Sequence, residues 1–207
     1  MAILHQATLT PSKPELITAY LPTVAEFEIS PGPIDHLGSY RFDDPDGLVG
    51  IECHLVRVPD GRTIHLPLTY RNDPVPDAEH WKVGTLEHSV LGTRHVYDAV
   101  GDPVYVAELV RVIATGGTQS PLIVHLPDGA TLERDNVVFV KGSGSATAGP
   151  EVAVGRASRE GTMTAISLGQ ASVMVRHAPR SGGGTGAYLA GTWPGSDRPS
   201  VLADVIA

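Results

Sequence analysis

Short β-prone apolar runs, separated by segments rich in turn chemistry, set the pattern of this chain. Three tripeptides, Pro45-Asp46-Gly47, Pro59-Asp60-Gly61 and Pro127-Asp128-Gly129, each lie between apolar segments. Proline presets the turn dihedral, Asp bonds its own backbone and Gly tolerates a positive φ, so each tripeptide predicts a hairpin. The paired strands are 37–42 with 49–58, 49–58 with 63–70, and 121–126 with 131–140. In the middle hairpin, a turn without a bulge sets Pro59 opposite Arg62 and Leu55 opposite Leu66. Ile51, Cys53, Leu55, Ile64, Leu66 and Leu68 then share one face, and Glu52, His54, Thr63, His65 and Thr69 the other. Such a division predicts an antiparallel sheet with a single buried face.

Two helices are expected. Ser12-Lys13-Pro14-Glu15 has the spacing of a capping box with proline in the first turn, and Pro22 stops the segment. The second helix opens at Asp102-Pro103 and closes at Gly116-Gly117. Its body is polar only at Glu108, Arg111 and Thr115, so it should lie buried across the apolar face of the sheet. Beyond Gly117 the chain reads as short strands, at 152–157, 163–168, 171–177, 188–193 and 201–205. Residues 142–150 read as a flexible linker or loop, and 181–186 as a second one. The expected fold class is α+β in two packed portions, residues 1–118 and residues 119–207.

Composition narrows the function classes. The chain has 207 residues, 42% hydrophobic and 18% charged, enough for a real core. Lys and Arg number 15 against 23 Asp and Glu, a net charge of -8, and no basic stripe exists. Nucleic-acid binding is therefore excluded. Cys53 is the single cysteine, which removes disulfide frameworks and thiolate metal clusters. No signal peptide and no membrane-spanning apolar run is indicated, so the cytoplasm is the expected location.

Catalytic motifs are missing. The phosphate-cradling P-loop and the Gly-x-Ser-x-Gly elbow do not occur. Gly182, Gly184 and Ala187 have a relaxed dinucleotide-loop spacing, but a β-prone segment follows where a helix is needed. Cys53, on the predicted core face, reads as an inert structural thiol. His54 and His65 are expected to be diagonal neighbours on the polar face beside Glu52. A metal at these three is weighed, but a solvated or ligand-facing sheet surface is preferred. His80, His88 and His95 fall in an irregular stretch. Asp43, Asp44 and Asp46 resemble half a calcium loop but lack its distal glutamate, so turn formation accounts for them. Trp81 and Trp193 could stack on a sugar, although core packing is the simpler reading.

Several runs resemble a known family. They are Leu37-Gly38-Ser39-Tyr40-Arg41-Phe42, His65-Leu66-Pro67-Leu68-Thr69-Tyr70-Arg71 and Val96-Tyr97-Asp98-Ala99-Val100-Gly101-Asp102-Pro103, the last leading to Ala114-Thr115-Gly116-Gly117-Thr118. The opening from Leu4-His5 to Tyr20-Leu21-Pro22 shares the likeness. Together they resemble the N-terminal cap domain of bacterial maltokinases and its stand-alone relatives, over roughly the first 118 residues. The resemblance implies a cystatin-like or monellin-like cap, a curved antiparallel sheet cradling a helix, here followed by a second β-rich portion. It also implies α-glucan and maltose metabolism, with Mg-ATP chemistry housed in a separate kinase lobe. Asp135-Asn136 and Lys141 do not supply that chemistry.

Three functional expectations result. The leading one is a non-catalytic cap-like module that binds or modulates a sugar kinase or glucan-metabolising partner, with no catalytic residue, cofactor or metal of its own. The others are a small-molecule or sugar binder using Glu52, His54 and His65, and an enzyme whose dispersed site escapes motif search. Oligomeric state is left open.

Overall fold

A computed structural model of the chain describes residues 3–4, 7–125, 131–184, 186–196 and 198–206. The third Pro-Asp-Gly tripeptide falls outside the described residues. Strands β1 (Ile3–Leu4) and β2 (Leu9–Thr10) precede helix α1 (Lys13–Tyr20). Then come β3 (Asp35–Asp43), β4 (Gly50–Arg57), β5 (Thr63–Arg71), β6 (Lys82–His88) and β7 (Gly92–Asp98). Helix α2 (Pro103–Thr115) leads to β8 (Leu122–His125), β9 (Thr131–Arg134) and β10 (Phe139–Gly142). The chain finishes with β11 (Ala157–Glu160), β12 (Met163–Ser167), β13 (Ser172–Ser181), β14 (Ala187–Thr192) and β15 (Ser200–Ile206).

Two antiparallel six-stranded sheets dominate, ordered β2-β6-β7-β5-β4-β3 and β10-β14-β15-β13-β12-β11. The first is curled, and with the two helices it makes the fold α+β, as the sequence leads one to expect. A small third sheet pairs β8 with β1 in parallel and with β9 antiparallel. β6 and β7 form a hairpin where the sequence reading had only an irregular stretch containing His80, His88 and His95. Conversely, residues 152–156 are not strand, and pairing with β12 begins only at Ala157. Gly155 there donates to the Ser167 carbonyl at 2.8 Å, beyond the end of the β11–β12 ladder.

The middle hairpin differs from expectation by one residue, with large consequences. Val58 N–H donates to the Arg62 carbonyl (3.0 Å), and Gly61 N–H to the Val58 carbonyl (2.9 Å). Gly61 has φ 87°, so Pro59-Asp60-Gly61 is a three-residue loop ending in a left-handed glycine. Leu55 therefore faces His65, and His54 faces Leu66. A slip of one residue turns every side chain of β5 to the opposite face. Ile51, Cys53 and Leu55 face α2 together with Tyr40, Phe42 and Tyr97, whereas Val56, Ile64, Leu66 and Leu68 face Leu16, Ile17 and Phe27. The sheet is buried on both faces rather than one.

Helix α2 follows its sequence signals closely. The Asp102 carboxylate caps it by accepting from Val104 N–H (3.0 Å), and it is held by Arg71 at 2.6 and 2.7 Å. Gly116, with φ 68°, ends it. The stretch 142–150 is not a free linker, because Gly144 N–H donates to Ile113 O and Ala146 N–H to Ala114 O, both at 2.9 Å. These bonds satisfy carbonyls that a helix end leaves without partners. A Cβ at Gly144 would lie 2.1 Å from the Ala114 carbonyl oxygen, so only glycine permits this approach.

One apolar cluster draws on both portions. Tyr105, Leu109, Val112 and Ile113 of α2 join Ile51 and Leu55 on one side and Val173, Leu189 and Leu202 on the other. Beside it, His65 Nδ1 bonds the Arg176 carbonyl (3.1 Å) and His177 Nδ1 bonds the His65 carbonyl (3.0 Å). The Arg159 guanidinium is ion-paired with Asp98 and lies 4.9 Å from the Phe27 ring centre and 5.0 Å from that of Trp81. Trp81 and Trp193 both pack in the core.

Leu109→Ala removes a fully buried side chain from the middle of this cluster. It is expected to cost about 2–5 kcal/mol in denaturant melts, through lost burial and a residual cavity. A loss under about 1 kcal/mol would show that α2 is not the packed centre described here.

Candidate functional site

Three local structures build a cleft at one end of the first sheet. The first is the start of α1. Ser12 Oγ caps Glu15 N–H (3.4 Å) while the Glu15 carboxylate accepts from Ser12 N–H (2.8 Å), which fixes Lys13 at the first helical position. The second is the β3–β4 turn, organised by Asp44. Its buried carboxylate accepts from the N–H groups of Asp46 (3.1 Å), Leu48 (2.9 Å) and Val49 (2.8 Å). The acidic run 43–46 is thus used to form a turn, as its composition suggests. The third is the β6–β7 turn, where His88 Nδ1 accepts from Val90 (3.2 Å) and Leu91 (3.1 Å). The cleft between them has a volume of about 420 Å³, with Lys13, Arg41, Tyr70, Arg94, Leu48 and Leu91 among its lining residues.

A polar network lies beneath it. The Lys13 ammonium is ion-paired with Glu52 and sits 5.1 Å from the Tyr70 ring centre. Ser39 Oγ donates to the other Glu52 oxygen at 2.9 Å. Next to this pair runs a chain of His36 Nε2 to His54 Nδ1 (2.9 Å) and His54 Nε2 to the Tyr70 hydroxyl (3.2 Å). His36 is exposed on edge strand β3, His54 is buried, and Tyr70 reaches the cleft. The network therefore joins solvent on one side to the cleft on the other.

Electrostatics follow from burial. Burial pushes the Glu52 carboxyl up, but the surrounding positive groups, Lys13 first with its hydrogen bond and Arg41 behind it, together outweigh this and hold it well below the usual carboxylate range. Burial lowers His54, His65 and His177 to about 3, so all three are neutral. Burial raises the Cys53 thiol far above its ordinary value, which keeps it inert.

Glu52, His54 and His65 do not share a solvated face. Glu52 and His54 lie on the α1 side, buried in the network. His65 lies on the α2 side, where its Nε2 meets the Tyr40 hydroxyl at 2.9 Å. The left-handed Gly61 separates them. His80 lies against the Trp81 ring (centroids 5.0 Å apart), His88 braces a turn and His95 belongs to β7. Among the described residues no group of three or more His, Cys, Asp or Glu is placed to hold a metal ion. The segment after Gly182 continues into strand β14, not into a phosphate-binding helix. Lys13, His36, Arg41, Tyr70 and Arg94 were not singled out from sequence. They come from four elements, α1, β3, β5 and β7, and the capping box, which fixes Lys13, was the one local signal that placed any of them.

Residues 21–102 match the family model of the maltokinase N-terminal cap domain. This segment is a relative of that domain. The match covers well under half of the chain, and it runs through β3–β7 to the N-cap of α2. No curated protein matches the chain. The cap sheet thus supplies most of the cleft, while Lys13 of α1 lies outside the matched segment. No helix among the described residues is long and apolar enough to cross a membrane.

Stability should fall with acidity. The three buried histidines have folded values far below the ordinary 6.5, so the unfolded chain binds more protons below that pH. Each then removes about 1.4 kcal/mol per pH unit as pH drops from about 6.5 towards 3. Glu52 adds to the loss at its lower end, and Asp98, raised by burial, opposes it. Urea midpoints should decline steadily from about pH 6.5 to about pH 4. A flat profile over that range would mean that these histidines are charged or solvated when folded.

Proposed function

We propose that this chain is a non-catalytic cap-like module that binds or modulates a partner enzyme of maltose or α-glucan metabolism, a sugar kinase being the class of partner. The observation that carries the reading is the match of residues 21–102 to the maltokinase cap domain. Two further features support it. Phosphoryl transfer needs a fixed metal, a base for the accepting hydroxyl and a cradle for the phosphates. Asp135 and Asn136 lie in the connection between β9 and β10, and Lys141 lies in β10, so none of them is set beside the cleft. The second feature is apolar exposure at the loop tips. Leu48, Val90 and Leu91 project from the β3–β4 and β6–β7 turns at 72%, 57% and 43% exposure. Exposed apolar side chains gathered around a cleft are the kind of surface that proteins present to partners.

The test has two arms. The purified chain should form no sugar phosphate from Mg-ATP and maltose, glucose or glucosamine, by mass spectrometry against a mock purification. Titrated into a purified maltokinase, it should change kcat or KM saturably. Turnover by the chain itself that is lost on changing Asp135 or Lys141 would overturn the module reading. So would a kinase indifferent to it at every concentration.

A further inference from the structure

Two arginines at the cleft carry N–H groups that no described residue accepts. The Nε atoms of Arg41 and Arg94 are both buried, and neither has a hydrogen-bond partner among the described residues. Arg41 belongs to β3 and Arg94 to β7, with β4 and β5 between them in the sheet, yet both line the cleft. Buried donors are nearly always paired, because an unpaired one keeps the full cost of its desolvation. Arg94 directs its Nη atoms to the Asn72 side chain and to the Leu91 carbonyl. The Arg41 guanidinium has no carboxylate within ion-pair distance among the described residues. Two such groups at one cavity point to an acceptor held there.

The neighbouring carboxylates are committed elsewhere. Glu52, beneath the cleft, is taken by Lys13 and by Ser39 Oγ at 2.9 Å. Asp44 accepts from three amides of its own turn, and Asp43 is engaged as well. The acceptor for the guanidinium groups must therefore come from outside. A guanidinium is planar, with N–H donors set as a fork that matches the two oxygens of a carboxylate. Fixed charge limits the anion further. Lys13, Arg41 and Arg94 stand against Asp43, Asp44 and Glu52, so the positive groups are balanced and a multiply charged anion would be repelled by Asp43 and Asp44. Leu9, Leu48, Leu86 and Leu91 add an apolar wall, which favours a hydrocarbon body on the ligand.

We propose that this cleft binds a small monocarboxylate with an apolar chain, its carboxylate held by the Arg41 fork and faced by Arg94, and its chain lying against Leu48, Leu86 and Leu91. Occupation supplies the acceptor that the buried N–H groups lack, through guanidinium groups that already line the cavity. A pair between a guanidinium and a carboxylate is a charge-assisted one, stronger than a bond between neutral groups. The volume of about 420 Å³ falls in the range of small-molecule sites and leaves room for a chain beyond the carboxylate. Kinase turnover reads out the partner module and not this cleft, so either reading can fail without the other.

The experiment is an amide-resolved NMR titration of the whole chain near neutral pH with hexanoate, and in parallel with acetate, hexanol, hexylamine and inorganic phosphate. Hexanoate should give saturable shifts at residues 41, 47–50 and 91–94. Acetate keeps the carboxylate without the chain and should bind at least about tenfold more weakly. Hexanol and hexylamine keep the chain without the carboxylate and should bind more weakly still, and phosphate should lose about tenfold or more. Arg41→Gln removes the fork and should weaken hexanoate about tenfold or more, the scale of one lost charged hydrogen bond. Should that variant fail to fold, Leu48→Glu sets a like charge at a rim position that is 72% exposed, and should weaken hexanoate similarly without changing the melt. The proposal falls if hexanoate gives no saturable shifts, or if any of the four other probes binds as tightly at the same amides. It falls equally if the folded variants bind hexanoate as the parent chain does.

Discussion

Helix α2 must be covered on nearly every side, and the rest of the fold is arranged to meet that requirement. Tyr105, Val106, Leu109, Val110, Val112 and Ile113 are all buried, more apolar surface than one curled sheet can take. The first sheet covers one side through Ile51, Cys53 and Leu55, and the second covers another through Val173, Leu189 and Leu202. The helix ends are tied to both portions. Arg71 of β5 holds the N-cap carboxylate, and the stretch after β10 donates to the final carbonyls. A cap-like sheet and a second β-rich portion are therefore joined through shared burial rather than by a linker.

With its α2 side committed to the core, the cap sheet has its other face for remaining work. Most of that face is closed by α1 and the turns after it, through Leu16, Ile17, Leu21 and Phe27. At the end near Tyr70 the cover opens into a cleft, and there the buried residues change from apolar to polar. Lys13 both belongs to the covering helix and neutralises Glu52 of the sheet. Removing such a partner leaves a buried charge without compensation, so the helix start and the cleft floor depend on each other.

Features written in local chemistry were legible in the sequence. The Ser12–Glu15 capping box, the Asp102-Pro103 start and Gly116 end of α2, and strands β3–β5 all fall where their residues direct. The pairing of His54 with His65 on one surface was not legible, because it hung on whether Gly61 closes a two-residue or a three-residue loop. Either is compatible with Pro-Asp-Gly, and the difference reverses a whole strand. β6 and β7 escaped because their apolar alternation is diluted by Lys82, Glu87, Arg94 and His95. The glycines of 142–150 suggested freedom, whereas they serve close approach to a helix end. The cleft was least legible of all, since its polar residues meet only through tertiary pairing.

The central claim is that one core, centred on α2, unites the cap sheet and the second sheet. Native-state amide hydrogen exchange tests it most directly, because it measures the opening free energy of each element separately. The slowest amides of α2, β4–β5 and β13–β15 should share one opening free energy, equal to that of global unfolding. Amides of β13–β15 that open at a clearly lower free energy than those of α2 would contradict it.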